Sequence, residues 1–156
     1  MKVYTSYFYQ VRFFKPYMIP LSTAMWDPKW FHNFKGSKHI FYDKNGVVNG
    51  AKAIPFVPGE QCEGLCDGNC IEKHPESCEF MNAYRKQLSK LKYKKVMSWL
   101  EAIGHNLVKD GQEPYMILLF HEKPDNPCSE RVAVQEWFAD HGLEVTELEY
   151  PIKDYY

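Results

Sequence analysis

Apolar positions follow two different periods along this chain, and where the period changes sets the order of elements. Residues 2 to 9 (KVYTSYFY) are β-branched and aromatic and predict an opening strand. Residues 17 to 24 (YMIPLSTA) predict a second strand, interrupted at Pro20, and Asp27-Pro28 marks a turn that leaves Trp26 and Trp30 on or near a loop. Residues 38 to 53, with Gly46 and Gly50, suggest a short hairpin or irregular insert, and Ala53 to Val57 another short strand. The period then lengthens. Phe80, Tyr84, Leu88 and Leu91 recur at helical spacing, and Val96, Leu100, Ile103 and Leu107 form one face of a second helix, with Gly111 placed to close it.

Residues 115 to 120 (YMILLF) are a continuous apolar run, the signature of a strand covered on both faces in a parallel sheet. A third helix is predicted over 129 to 141, with Ser129 as N-cap, Gly142 as stop and Val134, Trp137, Phe138 and His141 on its inner side. Residues 143 to 148 (LEVTEL) alternate and predict a last strand. Strand, helix, strand, helix, strand implies an α/β fold: one Rossmann-like, three-layer domain over 1–156, its sheet mostly parallel with right-handed crossovers.

At 156 residues, 45% of them hydrophobic and 25% charged, the chain has the size and balance of one globular domain. A formal charge of −1 argues against a partner held by net charge alone, and the lysine run Lys86, Lys90, Lys92, Lys94 and Lys95 predicts a solvated helical surface. No run of 18 apolar residues is present, so no membrane partner is expected. The first residues lack an apolar stretch followed by a small-residue cleavage site, which favours a cytoplasmic protein with reduced thiols.

Reduced thiols change the picture of one segment. Cys62, Cys66, Cys70 and Cys78 read C-x3-C-x3-C-x7-C, with Gly64, Gly68 and Asn69 permitting tight turns between them. Four thiolates satisfy tetrahedral zinc, so 58–79 is expected to be a metal-binding insert. An iron–sulfur cluster is the alternative, and His74 could replace one thiol.

The second chemical constellation is Phe120-His121-Glu122 at a strand end, followed by Cys128-Ser129-Glu130-Arg131 at a helix start. Ligands of open α/β sheets gather at strand carboxyl ends, and helix N-termini attract anions. The candidate roles are acid–base group for Glu122, supporting thiol for Cys128 and anion clamp for Arg131, with Ser129 and Trp30 completing a ligand site and Trp26 and Phe31 offering stacking faces. The opposing expectation is an ion pair of Glu122 with Arg131, Ser129 as a helix cap and His121 as a structural histidine.

Val3-Tyr4-Thr5-Ser6-Tyr7-Phe8, Pro20-Leu21-Ser22 with Pro28-Lys29-Trp30-Phe31, and Leu118 to Pro124 followed by Cys128 to Arg131 and Glu136-Trp137-Phe138 together resemble the uncharacterised domain-of-unknown-function 488 family. The resemblance covers the start and last third of the chain and implies a Rossmann-like fold, with no established activity. Glu122, Cys128 and Arg131 carry over. The family's Cys-His-Arg is Cys-Ser-Glu-Arg here, one residue longer and without histidine. Three functions are therefore expected to compete: an α/β protein binding, or processing, a nucleotide or nucleic-acid phosphate near 122–131; a zinc-stabilised module with a protein partner; and an iron–sulfur or thiol redox protein.

Overall fold

The computed structural model describes residues 1–33, 48–66, 75–108 and 111–149. Six strands form one sheet: β1 (Lys2–Tyr7), β2 (Met18–Ser22), β3 (Phe31–Asn33), β4 (Val48–Lys52), β5 (Tyr115–Phe120) and β6 (Thr146–Glu147). Their order is β3-β4-β2-β5-β1-β6, and every pairing is parallel. The apolar run 115–120 lies at the centre, with Lys2–Tyr7 on one side and Met18–Ser22 on the other. Met116 through Phe120 are all buried, as the absence of alternation requires.

The helices α1 (Glu79–Ser89), α2 (Tyr93–Leu107) and α3 (Glu130–Asp140) pack over one face. There Val3, Ile19, Leu21, Met116, Leu118 and Phe120 meet the apolar stripes of the helices in one core cluster. Val96 and Leu100 of the predicted second stripe are buried, and Ile103 and Leu107 pack against the same cluster. On the opposite face, Met18, Ile117 and Leu119 are covered by Phe8, Val11 and Phe14 in and beside a 3-10 helix (Phe8–Phe13). Among the described residues this layer carries no α-helix. The lysine run is exposed on α1, α2 and their turn, as its spacing implied.

Pro20 sits inside β2 although it has no N–H to give. β4 pairs with β2 only at Leu21 and Ser22, so the ladder on that side begins just beyond the proline. Gly50 allows β4 to come this close: a Cβ there would lie 2.8 Å from the Pro20 carbonyl oxygen and would run into the Phe31 ring.

Several local expectations are corrected. The opening strand ends at Tyr7, and the last strand shortens to Thr146–Glu147. Ala53 to Val57 is no strand; Ile54–Phe56 is a 3-10 turn, with Pro55 supplying a fixed φ and no donor. The predicted hairpin falls mostly on 34–47, outside the described residues, and β4 runs parallel to both neighbours, which a tight hairpin forbids. α2 ends at Leu107, and Gly111 takes its positive φ of 84° four residues later. Among the described residues, no helix is long and apolar enough to cross a membrane.

Candidate functional site

The carboxyl ends of β2 and β5 and the start of α3 enclose a cleft of ≈ 390 Å³. A larger groove of ≈ 650 Å³, bordered by Met1, Glu101, His105 and Glu113, lies at the opposite end of the sheet. The smaller cleft holds the chemistry, and its position is the one parallel sheets favour for ligands.

The floor of the cleft is fixed by local bonding. Thr23 donates its hydroxyl to the Leu119 carbonyl at 2.7 Å, tying the β2 exit to β5. Ser22 Oγ bonds the Asp27 carboxylate and accepts from the Ala24 amide at 3.2 Å, and Lys52 Nζ lies 3.1 Å from Asp27. His121 Nε2 lies 2.8 Å from the Trp26 carbonyl oxygen, and its ring centroid is 4.9 Å from that of Phe8. These contacts hold the 23–27 turn while leaving Trp26 83% exposed at the rim. His121 thus braces this turn while also lining the cleft.

Ser129 caps α3 as its position predicted. It accepts from the Arg131 amide at 3.2 Å and donates to Glu122 at 3.1 Å. Arg131 is 2% exposed and turns away from the cleft. Its guanidinium donates to the carbonyls of Lys123 (3.1 Å), Ser6 (3.1 Å) and Glu122 (2.7 Å). Its Nε lies 2.7 Å from Glu147 Oε2, close enough for an ion pair though off the hydrogen-bonding direction. The expected anion clamp is thus a stitch joining β1, the loop after β5 and β6. Its charge partner is Glu147, while Glu122 gives it only a backbone oxygen.

The residue before it, which the sequence argument passed over, carries the unusual electrostatics. Glu130 opens α3 and lines the cleft. Burial, then the neighbouring Glu122 carboxylate, pushes its carboxyl up to about 7; the helix-start amide and Arg131 pull the other way. The two carboxyls are close enough that ionising both is disfavoured. Burial likewise raises the Tyr84 hydroxyl, with Glu130 adding to the rise, and that hydroxyl donates to the Phe56 carbonyl at 2.6 Å. An acid following a serine cap and facing a strand-end glutamate was the available signal for Glu130.

Cys128 and Cys66 line this same cleft, Cys128 with its amide 3.0 Å from Asn126 Oδ1. The expected metal ligands are thereby placed in different surroundings. Cys62 is buried in the core cluster, its thiol 3.8 Å from Gln87 Oε1 in the last turns of α1, and burial raises its pKa. Cys66 is exposed, and Cys78 is the N-cap of α1. Cys70 and His74 lie outside the described residues, among which no three His, Cys, Asp or Glu side chains gather as a metal set. Trp30 stands apart from the cleft, 36% exposed and edge-on to Phe8 at 6.1 Å and Phe31 at 6.2 Å.

Compared with family models, with curated proteins and with solved structures, the chain has no match, so the likeness to the domain-of-unknown-function 488 family stands on the residues quoted for it.

Proposed function

We propose that the strand-end cleft binds the base of a nucleotide or nucleic acid and recognises it through the Glu122–Glu130 pair. The supporting observation is a carboxyl held near neutrality beside a second carboxyl in a cleft whose walls include Phe80, Phe120, Pro58 and Trp26, with Thr23, His121 and Cys128 among its polar groups. Apolar walls with a few convergent polar groups and a perturbed titration are the usual marks of a ligand site. The buried Arg131, held by three carbonyls, turns the earlier phosphate reading around: the acidic cleft suits the donor-bearing edge of a base better than its phosphate.

A protonated carboxyl offers one O–H donor beside one acceptor oxygen. That pair matches a base whose ring nitrogen sits next to an amino group, as in adenine and cytosine. The base would stack on Trp26, in the way extruded bases are read by edge and face together.

Calorimetric titration with the four nucleoside monophosphates at pH 6 and pH 8 tests this. Adenosine and cytidine monophosphates should bind at pH 6 and weaken at pH 8. Glu130→Gln, which keeps a donor and an acceptor, should bind without that pH dependence, and Glu130→Ala should not bind. Absence of binding by any nucleotide, or binding equal at both pH values in the unaltered protein, would remove the reading.

The cysteine spacing supports a separate proposal: zinc, or an iron–sulfur cluster, on Cys62, Cys66, Cys70 and Cys78. One metal equivalent per chain, lost in Cys66→Ser, would support it; metal-free protein of unchanged melting temperature would sink it.

A further inference from the structure

Among the exposed large apolar side chains of the described residues, Trp26 at the cleft rim is 83% exposed, and Tyr9 and Trp30, away from it, are 47% and 36% exposed. Trp30 and the Trp26 backbone are tied together through Phe8 and His121. Trp30 packs edge-on against Phe8 at 6.1 Å, Phe8 lies 4.9 Å from His121, and His121 bonds the Trp26 carbonyl. Tyr9 directly follows Phe8 in the 3-10 helix and stacks on Tyr7 at 6.5 Å. Cations accompany the rings. The Arg12 guanidinium lies 4.0 Å from the Tyr9 ring centroid, and Lys29 is exposed beside Trp30. The first 26 residues contain Lys2, Arg12 and Lys15 and no acidic residue. The first acid, Asp27, is already paired with Lys52 at 3.1 Å.

Resting on the base-binding reading of the cleft, we infer that the occupant is single-stranded nucleic acid, its bases stacked along Tyr9 and Trp30, its phosphates near Arg12 and Lys29, and one base delivered past Trp26 into the cleft. Exposed rings with interspersed cations are what a single strand needs: every base has a face to stack, and the phosphates have charges to meet. A protein partner would leave these cations unmatched unless it were acidic. A duplex keeps its bases inside and offers no faces to these rings.

The test is fluorescence anisotropy with a labelled twelve-nucleotide oligocytidylate, as a single strand and as a duplex, against cytidine monophosphate in parallel. The single strand should bind far more tightly than the monophosphate or the duplex. Its affinity should fall with salt at a log–log slope of about −1.4 for two neutralised phosphates. Replacing Tyr9 or Trp30 by Ala should weaken it roughly 5- to 150-fold each. Arg12→Ala should flatten the slope by about 0.7, while Lys92→Ala with Lys94→Ala, on the helical face, should change nothing.

If the monophosphate binds but the oligonucleotide binds no tighter, the single-strand track is wrong and the cleft reading survives. If the oligonucleotide binds through Tyr9 and Trp30 but is indifferent to Glu130→Ala, the track stands and the cleft reading fails. Equal binding of duplex and single strand, or full binding by a circular-dichroism-verified Tyr9→Ala and Trp30→Ala double variant, overturns the inference.

Discussion

Arg131 and Glu130 are neighbours at the start of α3, yet they belong to two different regions. Behind the helix start, Arg131 meets three carbonyl oxygens and the Glu147 carboxylate. In front of it, Glu130 meets Glu122, a like charge, and is pushed up to about 7. A buried charge whose partners are already present is scaffold; one that lacks a compensating charge is available to a ligand. The contrast locates the candidate site more securely than residue type does, since arginine would ordinarily be the first choice for ligand contact.

The largest effect expected from breaking this contrast is on the scaffold side. Arg131→Ala should cost about 3–5 kcal/mol in urea unfolding, because it strands Glu147 and frees three carbonyls. Arg131→Lys should recover little, since one ammonium does not span the fork.

The next effect is on the site side. A carboxyl whose pKa is raised by folding contributes stability below the ordinary value of 4.5 and loses it as pH rises through about 7. Glu130→Gln should therefore leave stability at pH 4 nearly unchanged and raise it at pH 8 by roughly 2 kcal/mol, after allowance for partial exposure. Thermal melts across that range should lose their downward trend in the variant.

A smaller effect is expected where the two regions join. Ser129→Ala removes the α3 cap and a donor to Glu122 together, for about 1 kcal/mol. Smallest in stability is Trp26→Ala, expected within about 0.5 kcal/mol because its ring is in water. It should nevertheless abolish nucleotide binding, and a Trp26→Ala protein that binds cytidine monophosphate normally would separate the rim from the site.

Much of this architecture was legible in the sequence for a definite reason. The run 115–120 predicted a strand covered on both sides, and the stripes of α1, α2 and α3 reported the helices that cover it, because burial against a sheet imposes periodicity. Ser129 was legible because capping is local. The 3-10 layer over the other face was not, because residues 8–14 pair aromatic bulk with a strand-like composition and their conformation follows from tertiary packing. At the site, Glu122 and Cys128 were singled out by their place between strand and helix, Arg131 was expected in the cleft, and Glu130 was given no role. Sequence order put both at a helix start; only the fold shows that one faces Ser6 and Glu147 and the other the cleft. The burial of Cys62 in the core was equally hidden, since spacing states what a loop permits and the core decides where a thiol goes.

The most direct test of the central claim is a carbon-13 NMR titration of the Glu130 carboxyl, alone and with saturating cytidine monophosphate. The account predicts a midpoint at about 7 in the protein alone and a further rise when the base is bound, because the base takes a hydrogen bond from the protonated form. A midpoint in the ordinary glutamate range, unmoved by the nucleotide, would contradict it.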